Sequence, residues 1–288
     1  MPRRLRHVPD DEMTFEFTYR AREGRFSFVP DEQLKSEWVG VIRDANQRYP
    51  AVELHQIHLM SNHVTGQLSV RGSMPINQLG LWEAYVFGQT ARVSHAVHGQ
   101  RGEIWESRRC RLIALLDAES IERSAAYIMA QAVTANLVAR PRHWPGLNTC
   151  DAVCRGAIVR GYRASAALRR QARRDKVPLS SIAPAKTLPL KPLPMHRGWS
   201  LYDRQKWYRD IEKRIIEAAD ARNVGRVFPS AETLRSADPH QTVEQSPSNP
   251  PTCYAAPAND GARRTWRQAY RSFVAAWREA LAAWVDGG

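Results

Sequence analysis

The chain has 288 residues, 43% of them hydrophobic, with 42 Lys and Arg against 29 Asp and Glu, a formal net charge of +13 and a pI near 10.0. That composition suits one good core with an appendage or two small domains, and no apolar run reaches the ~20 residues a membrane helix needs. The start, MPRRLRHVPDDE, is basic without an apolar stretch, so no secretory signal is read and a cytoplasmic, nucleoid-associated protein is expected. An excess of this size attracts polyanions, and Arg greatly outnumbers Lys, so nucleic acid is the expected partner.

Residues 13–20, MTFEFTYR, alternate Met13, Phe15, Phe17 and Tyr19 with polar residues and predict a first strand. Arg25 to Val29 is read as a short continuation after a Glu23-Gly24 turn. Asp31 can cap a helix whose apolar spacing runs through Leu34, Trp38, Val41 and Ile42. Residues 54–70, LHQIHLMSNHVTGQLSV, read as two strands joined at Ser61-Asn62. On the second of them His63, Thr65 and Gln67 share a face, because side chains alternate with period two. On the first, parity puts His55 and His58 on opposite faces, so the two cannot both join His63. A helix over about 76–97 follows, then loop and strand over 103–116. Asp117 caps a third helix that buries Ile121, Ala125, Ile128, Met129, Ala132 and Val133. The order implies an α+β fold with helices packed on one face of an antiparallel sheet.

Beyond Arg155 the character changes. Arg155, Arg160, Arg163, Arg169, Arg170, Arg173, Arg174 and Lys176 make a basic segment, read as helical, and residues 177–194 make a Pro-punctuated, extended linker. Helical spacing returns over 200–222, residues 236–262 read as a loose loop, and the last segment sets Trp266, Tyr270, Phe273, Trp277, Leu281 and Trp284 in a stripe suited to core or dimer contact. Three parts are therefore expected: 1–150, a linking piece 151–194, and a helical extension 195–288. None of the four cysteines forms a CxxC pair. Cys150 and Cys154 can share a helix face, but without a second ligand pair they read as free thiols rather than a zinc site.

The segment Leu59-Met60-Ser61-Asn62-His63-Val64-Thr65 resembles the L-M-P-N-H-V-H motif of the HUH single-strand transposases that use one tyrosine, above all the REP-associated tyrosine transposases. Tyr127-Ile128-Met129-Ala130-Gln131 is similar to that family's Y-I-x-x-N segment, and Arg140-Pro141-Arg142-His143-Trp144-Pro145 matches the R-P-x-x-W-P that follows it. The resemblance covers residues 1 to about 150. It implies a ferredoxin-like sheet, Tyr127 as nucleophile, and a divalent metal (Mg or Mn) held by His63 and Gln131. It also implies single-stranded or hairpin DNA as substrate and a 5′-phosphotyrosine intermediate. Family members can donate the tyrosine helix to a partner copy, so a homodimer is a further expectation. Two departures stand out: Thr65 replaces the second metal-binding His, and Ala132 replaces a Pro. Two imidazoles at i and i+2 on a strand can chelate, whereas a Thr hydroxyl is a poor ligand. Arg108, Arg109 and Arg111 are expected to hold phosphates. Three functions follow: a transposase-type nickase, a DNA-binding protein on the same fold that no longer cuts, and an RNA-binding protein. The last lacks the paired strand aromatics that RNA-binding sheets use.

Overall fold

The computed structural model describes residues 12–71, 78–106, 111–242 and 260–286. Strand β1 (Met13–Arg20) leads to helix α1 (Glu32–Arg48), the hairpin β2 (Val52–Met60) and β3 (His63–Val70), helix α2 (Gln78–His98), strand β4 (Arg111–Leu115) and helix α3 (Ala118–Thr134). The four strands form one antiparallel sheet in the order β2-β3-β1-β4. The fold is α+β, with a ferredoxin-like strand order and helical structure after α3.

Alternation along the strands makes two faces. Phe15, Phe17, Ile57, Leu59, Val64 and Leu68 form the apolar one and join Trp38, Ile42, Trp82 and Val86 of α1 and α2 in the main core. Gly66 is needed there, because a Cβ at that position would run into the Phe17 ring. The opposite face carries Thr14, Glu16 and Thr18 of β1 and Thr65, Gln67 and Ser69 of β3, all less than 9% exposed. Helix α3 lies over this second face. Gln67 Nε2 donates to the Ile121 carbonyl (3.1 Å), and Ile121, Ala125 and Met129 pack with Ile113 and Leu115 of β4. The helices of the ferredoxin-like unit thus share one face, and the helix following β4 takes the other.

Two local expectations give way. Arg25–Val29 is not a strand. The chain turns at Glu23 (φ 57) and sends Phe28 inward against Trp38 and Trp105, with ring centroids 5.5 and 4.6 Å away. The parity argument for His55 and His58 fails because the β2–β3 register shifts between Leu54 and Gln56. This bulge lets both His55 and Gln56 reach the polar face: His55 Nε2 is 2.7 Å from Ser69 Oγ, and Gln56 Nε2 donates to Gln67 Oε1 at 3.1 Å.

After α3 the chain covers the outer edge of β2. Leu59 N donates to Leu147 O (2.8 Å), Thr149 N to Ile57 O (3.1 Å) and Lys191 N to Leu54 O (2.9 Å), which satisfies an edge that would otherwise be free to pair with another chain. Between these contacts come α4 (Cys150–Arg155), β5 (Arg160–Tyr162), α5 (Ala166–Asp175), α6 (Leu179–Ile182) and β6 (Ala185–Thr187). The basic segment is therefore only partly helical, since Arg160–Tyr162 pairs with Ala185–Thr187 instead. The Pro-punctuated stretch is not extended throughout, because Leu179–Ile182 is helical after Pro178, and it is not loose, with Leu188 and Leu193 at 3% and 0% exposure. Several of its basic neighbours are consumed internally: Arg169 pairs with Glu37 and Lys186 with Asp44 of α1.

Helices α7 (Leu201–Arg222), α8 (Ala231–Arg235) and α9 (Asp260–Asp286) complete the described chain. Tyr208 and Ile211 of α7 pack with Ala125 and Met129 of α3. Trp266 of α9 joins the main core, 6.5 Å from the Phe15 ring, so the aromatic stripe supplies at least one core residue. Most of the segment read as a loose loop, 243–259, lies outside the described residues, as do Cys110 and Cys253.

Candidate functional site

The site is built where the polar face of the sheet meets α3. A two-residue connection at Ser61-Asn62 sets the hairpin register, pairing Met60 with His63, Leu59 with Val64 and His58 with Thr65. Thr65 also pairs with Thr18 of β1, and Thr18 with Arg111 of β4. One rung across the sheet therefore reads His58, Thr65, Thr18, Arg111, and the next carries His63 beside Arg20.

Helix α3 is held in place from its first residue. Asp117 Oδ1 accepts from Ser120 N (2.7 Å) while Ser120 Oγ accepts from Asp117 N (3.2 Å), a reciprocal cap worth about 1 kcal/mol. The helix then turns Ile121, Ala125, Ile128, Met129, Ala132 and Val133 inward, each at most 8% exposed, as its spacing predicts. Tyr127 faces the other way and is 48% exposed. Gln131, one turn further on, shares its face and donates from Nε2 to the Tyr127 carbonyl (3.4 Å).

That bond aims the Gln131 carbonyl oxygen at the sheet, where it lies 3.0 Å from His63 Nε2. On the other side of the ring, Nδ1 lies 2.8 Å from Asn62 Oδ1. A neutral imidazole has one N–H, and both neighbours are oxygen acceptors. The neutral ring therefore donates to one of them at a time, through Nε2 to Gln131 or through Nδ1 to Asn62; in the second tautomer the Nε2 lone pair is free for a cation. Burial pushes the His63 pKa down, the Gln131 contact partly offsets it, and Arg20 lowers it further; the doubly protonated ring that could satisfy both oxygens is thus disfavoured. Two ligands of a hard divalent ion at ~2.1 Å in an octahedral shell stand ~3 Å apart, and a ligating His donates its remote N–H to an oxygen. His63, Asn62 and Gln131 fit a divalent cation on both counts.

Thr65 does not complete such a set in the family's manner. It is fully buried, and its hydroxyl lies 3.5 Å from Thr18 Oγ1. Its cross-strand partner His58, set aside on sequence, is 1% exposed, and neither ring nitrogen has a hydrogen-bond partner among the described residues. The ring stacks on Trp144 with centroids 6.0 Å apart. Burial, with a smaller contribution from His63, holds its pKa down at about 3, so the lone pair of a neutral imidazole is retained. His58 is diagonal to His63 across the hairpin, within reach of long side chains. His55 occupies the far end of the same face and is fully used: Nδ1 donates to Lys191 O (2.9 Å) and Nε2 accepts from Ser69.

Of the residues singled out in the sequence, His63 and Gln131 come into contact within a single chain, and Tyr127 stands one turn from Gln131 on the exposed side. Arg111 is exposed at the sheet edge, on the rung that holds Thr65. Arg108 and Arg109 lie outside the described residues. Arg20 was not singled out, although its register opposite His63 makes it the basic residue nearest the site on β1.

No protein-family model and no curated protein matches the chain. Among solved structures it is similar to a REP-associated tyrosine transposase bound to a REP hairpin, with 18% identity and a TM-score of 0.39 over 54% of this chain and 87% of that one. It is also similar to a candidate transposase from Deinococcus radiodurans, with 14% identity and a TM-score of 0.31 over 46% of this chain and 98% of that one. Among the described residues no helix is long and apolar enough to cross a membrane.

Proposed function

We propose that the chain binds single-stranded or hairpin DNA and nicks it through Tyr127. The observation that carries this is the contact of His63 Nε2 with Gln131 Oε1 at 3.0 Å, one helical turn from an exposed tyrosine. It is supported by the motif resemblance and by the exposed cations Arg20 and Arg111 on the same side of the sheet. Residues 1–150 would form the DNA-processing unit, with 151–194 and the helical extension 195–288 buttressing it.

His63, Gln131 and, in place of the missing second His, His58 would hold a divalent cation. When bound, such an ion would neutralise charge on the scissile phosphate. The Tyr127 oxygen forms the new P–O bond, the phenol proton departs, and the DNA 3′ oxygen leaves and takes up a proton. Because the phosphodiester is exchanged for a phosphotyrosine ester, rejoining by the reverse step needs no nucleotide cofactor. The Gln131 amide, braced on the Tyr127 carbonyl, and the His63 ring, braced on Asn62, keep these donors oriented. Arg20 and Arg111 would hold flanking phosphates.

The alternative is a DNA-binding protein that does not cut, favoured by the burial of Thr65 and its pairing with Thr18. Incubation of the full chain with labelled hairpin DNA and Mn²⁺, scored for a covalent protein–DNA adduct, separates the two. An adduct that disappears in Tyr127→Phe supports nicking. An adduct absent from wild type and restored by Thr65→His places the defect at the lost ligand. DNA binding with no adduct in either leaves the non-cutting role.

A further inference from the structure

The sequence offers Cys150 and Cys154 as a lone i, i+4 pair, and the fold brings them a third donor from far along the chain. Cys150 Sγ is 3.9 Å from Cys154 Sγ and 3.6 Å from Oε1 of Glu212 on α7. The three donor atoms all lie within 4.8 Å of one another, and the residues are 2%, 0% and 4% exposed. We infer that Cys150, Cys154 and Glu212 form a structural site for a borderline-soft divalent cation, zinc in the first instance, that clasps α4 to α7. The site goes beyond the DNA-processing role and does not depend on it.

Spacing and charge both support it. A tetrahedral zinc with Zn–S of ~2.3 Å and Zn–O of ~2.0–2.2 Å sets its sulfurs ~3.8 Å apart and a sulfur and an oxygen ~3.5 Å apart. The observed 3.9 and 3.6 Å are within about 0.1 Å of those edges. Arg155 donates to the other Glu212 oxygen at 2.5 Å. Two thiolates and one carboxylate carry three negative charges, which a divalent ion would largely offset together with the Arg155 guanidinium, itself shared with the more exposed Asp151 at 2.8 Å. Structural zinc sites are usually closed by four protein donors, so with three here the fourth position falls to water.

The consequence lies in where the clasp sits. Cys150, Cys154, Tyr208 and Ile211 share a cluster with Ala125 and Met129 of α3. Linking α4 to α7 would therefore fasten the back of the helix that carries Tyr127 and Gln131. Metal binding of this kind is folding free energy, so the loaded chain should melt higher than the chelated one.

The test is metal content of the full chain after purification and zinc loading, with cobalt as a spectroscopic stand-in. The expected result is at least one zinc per chain, with one still bound in His63→Ala, and, with Co²⁺, a thiolate-to-cobalt charge-transfer band in the near ultraviolet. Cys150→Ser and Cys154→Ser should each weaken that band and lower affinity by at least about tenfold. Glu212→Gln should keep the band and lose affinity. His63→Ala should leave both unchanged, which separates this site from the DNA site. Alkylation of wild type in mild denaturant covers the case in which a cysteine variant does not fold: zinc should protect Cys150 and Cys154, and chelation should expose them. Sub-stoichiometric metal in wild type, an undiminished charge-transfer band in Cys150→Ser, or equal alkylation with and without zinc would each overturn the inference.

Discussion

On one side of the central sheet Phe15, Phe17, Ile57, Leu59, Val64 and Leu68 pack against α1 and α2. On the other, Thr14, Glu16, Thr18, Thr65, Gln67 and Ser69 are equally dry beneath α3. The apolar side stabilises without directional demands, at roughly 1.5–3 kcal/mol per large side chain. The polar side gains only about 0.5–1.5 kcal/mol per hydrogen bond, and leaving a buried group unpaired costs about 1–3 kcal/mol. It therefore has to be solved group by group, and most of it is: Thr14 with Ser69 (2.9 Å), Ser69 with His55, Gln56 with Gln67, Gln67 with the α3 backbone. The accounting fails at His58, whose nitrogens have no partner among the described residues, and at His63, held between two oxygens. Ser124 Oγ of α3 is a further buried atom without a hydrogen-bond partner among the described residues, so the polar face is less completely satisfied than the apolar face is packed.

The contrast can be broken first on the apolar side. Phe17→Ala should cost about 3–5 kcal/mol in denaturant unfolding, more than any single change on the polar side. A loss under about 1 kcal/mol would mean that the apolar face does not carry the fold.

The next effect is specific to the polar side and depends on pH. His58 and His55 have folded pKa values of about 3 and about 4, both held down by burial, against an ordinary 6.5. Their neutral forms are favoured by folding, so their contribution is complete above pH 6.5 and is lost as pH falls towards 3–4. Stability should decline through that window, and His58→Phe should flatten the decline. Glu16 runs opposite in sign. Burial raises its pKa above 4.5, opposed by Ser124 and Arg111, so its contribution is complete below 4.5 and is lost as pH rises through its folded value. Glu16→Gln should therefore raise the melting temperature at neutral pH, by a margin that shrinks on acidification.

Gln67→Ala should cost about 1–3 kcal/mol, because it strands Gln56 Nε2 and removes the bond that seats α3 through the Ile121 carbonyl. It should also slow adduct formation by loosening α3. Equal adduct rates in Gln67→Ala and wild type would separate the seating of α3 from the chemistry. Tyr127→Phe should move stability by no more than about 0.5 kcal/mol, since the side chain is half exposed, while abolishing the adduct altogether. The smallest effect belongs to the sheet edge. With about five phosphate contacts the salt dependence of single-strand binding should have a log–log slope of roughly −3.5, and Arg111→Ala should reduce its magnitude by about 0.7. A slope unaltered by Arg111→Ala would remove that residue from the proposed DNA surface.

Much of this molecule is local and could be read from residue order. The strand at 13–20, the hairpin with its Ser61-Asn62 connection, the Asp31 and Asp117 caps and the buried spacing of the tyrosine helix all follow from periodicity and capping chemistry, which act over a few residues. The choice of His63, Tyr127 and Gln131 rested instead on the resemblance of their contiguous motifs to the single-tyrosine transposases. His58 could have been found locally: counting outward from the two-residue turn pairs it with Thr65. It was missed because the parity argument started from His55, and a one-residue bulge defeats parity. The tertiary structure alone decided which face α3 covers, that Lys191 and Leu147 close the β2 edge, and that Arg169 and Lys186 are spent on α1. It alone brought Glu212 to Cys150, across 62 positions. These contacts depend on where whole elements pack, and packing is settled by shape and burial summed over the chain rather than by any pattern within a segment.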